Sequence, residues 1–97
     1  MALSPFADET MTISSTSMGL SSSSNYSPTD GILPTWVKIM VLTNSMRVRE
    51  AGTPTASVGM YFNAEDYFIL DGYSAIQQVR MIRATSSDAT ILVTWYR

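Results

Sequence analysis

The sequence predicts an all-β protein, and three observations lead to this prediction. Short runs rich in β-branched and aromatic residues recur about every 8–12 residues. Residues typical of turns separate these runs. The 97 residues are enough for one domain and too few for two. The predicted architecture is a small antiparallel β-sandwich, jelly-roll-like or Ig-like, with an extended Ser/Thr-rich N-terminal arm.

Residues 1–35 are predicted to be this N-terminal arm, and to form strand partly on assembly. They contain nine Ser, five Thr and no Lys or Arg. Such a stretch offers little apolar surface, so we expect it to be mobile when alone. Met11 and Ile13 alternate with polar residues, and Met18 and Leu20 follow, which is typical of a strand that needs a neighbouring edge. A chain that lacks residues 1–20 is expected to keep a β-type circular dichroism spectrum.

Residues 36–97 are predicted to be the β-sandwich core. Their alternating or apolar runs predict strands at 37–42, 46–49, 67–70, 79–83 and 89–96, with a short apolar run at 60–62. Residues rich in Gly, Pro, Ser, Thr or acids predict loops and turns at 51–58, 63–66 and 85–88. The pair Asp71-Gly72 predicts a tight turn after the run 67–70.

One segment of the core has a helical alternative. Ile76, Val79 and Ile82 sit near helical spacing within residues 73–83, and the two Gln residues there favour helix modestly. The strand at 79–83 and the helix therefore remain two open predictions for this segment.

The run 37–42 is apolar on both faces, because Met40 and Leu42 lie on its second face. One face of a two-layer sandwich meets water, so the arm or another subunit is expected to cover this second face. A core of about 65 residues is marginal without disulfides, and association is the natural remedy. We therefore predict a homo-oligomer. The candidate interface residues are Met11, Ile13, Met18, Leu20, Met40, Leu42, Trp95 and Tyr96.

Composition excludes several function classes. The chain has no His and no Cys, so it can hold neither a Ser-His-Asp triad, nor a thiol nucleophile, nor a Cys/His zinc site. The adjacent acids Glu65 and Asp66 fall in a turn and point apart. The sequence predicts no enzyme, no cofactor and no metal. A net charge of −2 disfavours nucleic acid, and no apolar run reaches the roughly 18 residues that cross a membrane.

Two surface features have competing interpretations. Arg47, Arg49, Arg80 and Arg83 form a basic stripe that grips acidic partners, or they are solvated and paired within the chain. Four aromatic residues are glycan-stacking groups, or they are core and interface anchors: Trp36, Tyr73, Trp95 and Tyr96.

A pattern of turns and strands runs through residues 12–14 and 18–20, then Met46-Arg47-Val48-Arg49, 52–59, 63–70, 82–85, 88–90 and Val93-Thr94-Trp95-Tyr96-Arg97. In this pattern the chain resembles a group of small phage and prophage virion proteins. The resemblance covers most of the chain.

This resemblance implies a structural role in the virion after synthesis in the host cytoplasm. It implies a capsid decoration (cement) protein, commonly a trimer, that bridges capsid subunits through its sandwich and arm. The implied partners are copies of itself and the major capsid protein or portal and neck proteins. The alternatives are a head–tail connector, neck or collar accessory protein and a glycan-binding virion module.

Overall fold

The protein folds as two antiparallel β-sheets in a computed structural model that describes residues 4–20, 23, 25–27, 30–31, 34–50, 52–55 and 57–97. Seven strands and one helix lie in these residues. In chain order they are β1 (Pro5–Ile13), β2 (Trp36–Thr43), β3 (Met46–Arg49), β4 (Met60–Phe62), β5 (Tyr67–Asp71), α1 (Tyr73–Gln78), β6 (Arg80–Arg83) and β7 (Ala89–Tyr96).

The sheets have four and three strands. Sheet A has the strand order β1-β7-β2-β5, and sheet B has the order β4-β3-β6. The predicted small all-β sandwich is confirmed. The predicted runs that became β2, β3, β4, β5 and β7 have ends within one residue of the observed ones.

The core lies between the two sheets. Successive residues of a strand point to opposite faces, so every second residue faces the other sheet. Strand β7 alternates strictly between buried and half-buried residues. The fully buried side chains of β2 and β7 are Val37, Ile39, Val41, Ala89, Ile91, Val93 and Trp95, and those of β3 and β6 are Met46, Val48 and Met81. Burial of such side chains contributes about 25 cal/mol per Å² of apolar surface and holds the two sheets together.

The N-terminal arm belongs to both sheets. Its strand β1 pairs with β7 from Pro5 to Ile13. The chain then crosses to β6, where the backbones of Met18 and Met81 exchange two hydrogen bonds of 2.9 and 2.7 Å. Ile13 and Leu20 are 0% exposed. The arm therefore supplies core residues and protects the edge of sheet B.

Strand β1 begins earlier than the sequence pattern indicates. The alternation starts at Met11, whereas the strand starts at Pro5. The pairing with β7 extends over this less regular stretch, with a change of register between Pro5 and Ala7. The division of the chain at residue 35 and an added role of the arm on assembly stay predictions.

A single carboxylate oxygen links the serine-rich part of the arm to the core. Glu9 lies opposite Val93 on the inward face of β1. Its Oε1 atom accepts hydrogen bonds from Nε1 of Trp95 at 2.8 Å, from Nδ2 of Asn25 at 3.1 Å and from the hydroxyl of Ser23. Three donors, two of them from the arm, therefore depend on one acceptor.

The short helix α1 connects the two sheets. Gly72 has a φ of 101°, a left-handed conformation that suits glycine, and the helix begins directly after it. Ile76 is the helix residue buried in the core. Strand β5 ends at Asp71, where the tight turn is predicted, and the chain then enters α1 and the other sheet, so the turn does not close a hairpin. Both open predictions for residues 73–83 are right in part, because helix at Tyr73–Gln78 is followed by strand at Arg80–Arg83.

Two tyrosines join the arm to this helix. The rings of Tyr26 and Tyr73 stack with centroids 5.5 Å apart and an interplanar angle of 11°. Burial, followed by the hydrogen bond and the charge of Tyr73, raises the pKa of Tyr26 to about 12. An unfolded tyrosine ionises near pH 10.

The stability of the fold is expected to decline between about pH 10 and pH 12. In this range the unfolded chain releases the Tyr26 proton while the folded chain retains it, so rising pH favours unfolding; below pH 10 this contribution is complete. Urea unfolding at a series of alkaline pH values measures the effect. The Tyr26→Phe variant is expected to have a smaller alkaline slope, and an unchanged slope would contradict the assignment.

Candidate functional site

The outer surface of sheet A carries apolar side chains on β5, β2 and β7. Antiparallel register sets the side chains of neighbouring strands in rows across this surface. Met40 lies between Tyr67 of β5 and Leu92 of β7. Trp36 packs edge-to-face on Tyr96, with ring centroids 4.6 Å apart. Apolar side chains thus occupy outward positions on three adjacent strands, and the row of Ile69, Lys38 and Thr94 lies between the rows of Trp36 and Met40.

We call this surface the apolar face. It consists of Trp36, Met40, Leu42, Tyr67, Ile69, Leu92 and Tyr96. Tyr67, Ile69 and Leu42 are 59%, 43% and 40% exposed, and the other four are half-buried. Strand β1 does not cover the apolar face, because it lies at the edge of the same sheet. The sequence left two possible covers for the second face of β2, the arm or another subunit. The described part of the arm does not cover it.

The apolar face has one cation at its centre and acids at its sides. The Nζ atom of Lys38 lies 5.2 Å from the centroid of the Tyr67 ring. Asp71 ends β5 on the same surface, and Asp8 of β1 accepts a 2.7 Å hydrogen bond from the hydroxyl of Thr94. Among the described residues Lys38 forms no ion pair. The surface thus combines exposed apolar area with charges of both signs.

The predicted interface residues fall into three groups. Met40, Leu42 and Tyr96 are on the apolar face, as the strand pattern indicates. Met11 and Met18 are half-buried and pack against the core. Ile13, Leu20 and Trp95 are 0% exposed within the single chain, so their side chains offer no surface to a partner. We reassign these three to the core, because β1 and the crossing segment bury them between the sheets.

Sequence reasoning missed four members of the apolar face as interface residues: Trp36, Tyr67, Ile69 and Leu92. A signal for them exists in two runs. The run at 67–70 has no polar residue, and the run at 89–96 has apolar residues at both parities. A strand that is apolar on both faces indicates that its outer face, as well as its core face, is buried against a partner.

The four aromatic residues considered for glycan stacking do not share a surface. Trp95 is in the core, and Tyr73 stacks on Tyr26. Trp36 and Tyr96 remain together on the apolar face, in an edge-to-face pair. Of these four residues, a glycan platform would therefore have to use this pair.

The acidic turn between β4 and β5 is tied to β2 by its backbone. The N–H of Glu65 donates to the carbonyl of Val41 at 2.7 Å, and the N–H of Val41 donates to the carbonyl of Asp66 at 2.9 Å. Within the described ranges no three acidic side chains lie close enough to hold a metal ion. The helix found in those ranges is too short and too polar to span a membrane.

Comparisons with protein-family models, with curated proteins and with solved structures give no match to this chain. The resemblance to phage virion proteins receives no support from them and stays a prediction.

Proposed function

We propose that the chain is a structural protein that assembles with copies of itself through the apolar face of sheet A. The observation that carries this proposal is the exposure of Tyr67, Ile69 and Leu42 on a surface already rich in half-buried apolar groups. Contiguous exposed apolar surface of this kind marks interaction sites on soluble proteins. Burying it against a second copy removes that surface from water and adds to a small core.

Charge complementarity favours a second copy as the occupant. Lys38 stands among apolar groups, and acids flank it on the same surface. In an isologous pair each copy presents the same patch, so Lys38 of one copy faces an acid such as the partner's Asp71, and the reverse. Such pairs set the register of an interface, while the apolar groups supply most of its free energy.

The first experiment measures the native mass by light scattering behind size exclusion. The parent chain is expected to be an oligomer. Ile69→Lys places a second cation on the apolar face and is expected to weaken association about 30-fold or more. Val58→Lys is the matched control, because Val58 is also an exposed aliphatic residue, 50% exposed, in the loop between β3 and β4.

The outcomes separate clearly. An oligomeric parent, an oligomeric Val58→Lys variant and a monomeric Ile69→Lys variant agree with the proposal. A monomeric parent removes the self-assembly role, and an oligomeric Ile69→Lys variant places the interface elsewhere.

For the biological role we propose a capsid decoration protein in a phage virion, following the sequence resemblance. Many copies that bridge shell subunits need only modest affinity each, because multivalency multiplies weak contacts. The resemblance implies a trimer for this role, whereas isologous pairing of the apolar face gives a dimer, and the native mass distinguishes the two. The alternative, a neck or collar accessory protein, predicts a ring instead. Copy number in purified particles distinguishes them, since hundreds of copies indicate the shell, six or twelve indicate the portal axis, and none would reject both.

A glycan-binding role is the second alternative, and it is supported by the pair of Trp36 and Tyr96 together with the exposed Tyr67 on the same surface. Titration with sugars while tryptophan fluorescence is recorded tests it. Trp36 is the reporter, since Trp95 is fully buried.

A further inference from the structure

Sheet B presents arginines on its outer surface, opposite to the apolar face. Arg49 of β3 and Arg80 of β6 are directly opposite each other in the antiparallel register. We call these two residues the arginine pair. Side chains at directly opposed positions have Cβ atoms about 4.5–5.5 Å apart, and like charges there destabilise a sheet. An arrangement of this kind calls for a negatively charged group nearby.

Among the described residues, no acid forms an ion pair with either member of the arginine pair. In the described residues the ion pair is between Arg83 and Asp88. The residues outside the described ranges include no Asp or Glu. Arg83 is thus paired within the chain, which is one of the two interpretations of the basic stripe. Arg49 and Arg80 lack an acidic partner.

Backbone contacts hold both guanidinium groups in place without neutralising them. Arg80 donates through Nη1 to the carbonyls of Val79 at 2.8 Å and Gln77 at 3.1 Å. Arg49 donates through Nη1 to the carbonyl of Thr53 at 3.3 Å. Since a guanidinium has five N–H donors, each group keeps donors for a ligand.

Two glycines make room for these guanidinium groups. A Cβ atom on Gly19 would lie 2.6 Å from Nη1 of Arg80, and one on Gly52 would lie 3.0 Å from Cζ of Arg49. Gly52 also has a φ of +113°, which side-chain-bearing residues rarely adopt. The local backbone thus accommodates the arginine pair at close range.

A groove lies beside the arginine pair, between the loop after β3 and the end of α1. Its volume is about 550 Å³, and it is lined by Gly52, Thr53, Gln77, Gln78 and Arg80. Carboxamides and a hydroxyl both donate and accept hydrogen bonds, so they can pair with the N–H and C=O groups of a peptide backbone. The guanidinium group matches the two oxygens of a carboxylate.

We propose that this groove binds an acidic peptide segment of a partner protein. A carboxylate is held by Arg80, which lines the groove, with Arg49 beside it against the lining residue Gly52, and the peptide backbone is held by the two glutamines. A short segment is favoured over a nucleic acid, because the net charge of −2 repels an extended polyanion while leaving room for one or two local carboxylates. This proposal goes beyond the assembly role and does not rest on it, since the groove is on the other sheet.

Fluorescence anisotropy with a fluorescein-labelled peptide of alternating Gly and Glu tests the proposal. The parent chain is expected to bind this peptide, and to bind it less tightly as salt is added. Arg49→Gln and Arg80→Gln are each expected to weaken binding about ten- to hundred-fold, the range for a hydrogen bond to a charged group. Arg97→Gln is the control, because Arg97 lies over the Phe6 ring at 4.6 Å and outside the groove.

Thermal unfolding gives a second measurement that does not depend on the label. Arg49→Gln and Arg80→Gln are expected to keep or raise Tm without peptide, because each relieves the repulsion between opposed charges. The unlabelled peptide is expected to raise Tm for the parent and not for these variants. A variant that simply unfolds would contradict this expectation directly.

Several results would overturn the proposal. The first is that the parent chain does not bind the peptide. The second is that a peptide with Gln in place of Glu binds as tightly. The third is that Arg97→Gln weakens binding as much as Arg49→Gln and Arg80→Gln do. Competition by inorganic phosphate or a single-stranded oligonucleotide as effective as the unlabelled peptide would reassign the groove to general anions. The Ile69→Lys variant is expected to bind like the parent, which keeps failure of assembly distinct from failure of the groove.

Discussion

Removal of residues 1–20 is expected to unfold the protein. The deletion takes away β1, the strand that pairs along the whole of β7, and the fully buried side chains of Ile13 and Leu20. Truncation of one such side chain to Ala costs about 2–5 kcal/mol, and a domain of this kind has about 5–15 kcal/mol in all. Far-UV circular dichroism and a thermal melt of the truncated chain measure the outcome. This expectation replaces the one from sequence, in which the core survives without the arm.

A matched pair of point variants in β1 tests the same idea without deletion. Ile13→Ala is expected to lower the free energy of unfolding by about 2–5 kcal/mol. Thr12→Ala, one residue away on the exposed face, is expected to change it by about 0.5 kcal/mol or less. A truncated chain with a β-type spectrum and a cooperative melt would show that the arm is dispensable for folding.

Glu9→Ala is expected to produce the largest loss of stability among the polar substitutions. The change removes the acceptor of the indole N–H of Trp95, which is fully buried, and of the donors on Ser23 and Asn25. One orphaned buried donor costs about 1–3 kcal/mol. Because three donors lose the same acceptor, we expect a total of about 3 kcal/mol. Urea unfolding followed by tryptophan fluorescence gives the value.

Two further variants sharpen this prediction. Glu9→Gln keeps a side-chain oxygen as acceptor and is expected to cost about 1 kcal/mol. Asp8→Ala removes the neighbouring carboxylate, whose partner is the hydroxyl of Thr94 at an exposed site, and is expected to cost about 0.5 kcal/mol. Similar losses of stability for Glu9→Ala and Asp8→Ala would mean that the hydrogen bonds of Ser23, Asn25 and Trp95 to Glu9 contribute no more than one exposed hydrogen bond.

The sequence predicts the strands of the core well, because their signal is local. In β3 and β7 apolar residues alternate or run together between turn residues, and the predicted ends coincide with the observed ones. The start of β1 is different. Pro5, Phe6 and Ala7 carry no alternation, and they are extended because β7 offers a partner at the far end of the sequence. Pairing with a distant strand overrides a weak local preference here.

The candidate sites depend on juxtapositions that a sequence does not carry. Glu9 and Trp95 are 86 residues apart, and their contact requires β1 to lie beside β7 with Glu9 facing inward. The opposition of Arg49 and Arg80 depends on the register of β3 with β6, and a shift by one residue would move one arginine to the other face. The sequence pattern indicates the basic stripe. Only the strand register and the ion pairs of the structure show that Arg83 has an acidic partner and that Arg49 and Arg80 do not.

The position of β7 between β1 and β2 has a consequence for how the chain is made. Synthesis runs from the N-terminus, so β1 and β2 are both produced long before the strand that separates them. Until residues 89–96 leave the ribosome, β1 has no ladder to join and β2 lacks one of its two neighbours. Sheet A therefore closes late, by long-range pairing that is intrinsically slow. During that interval the two apolar sides of β2 are open to other nascent chains, which makes translation rate and crowding determinants of yield.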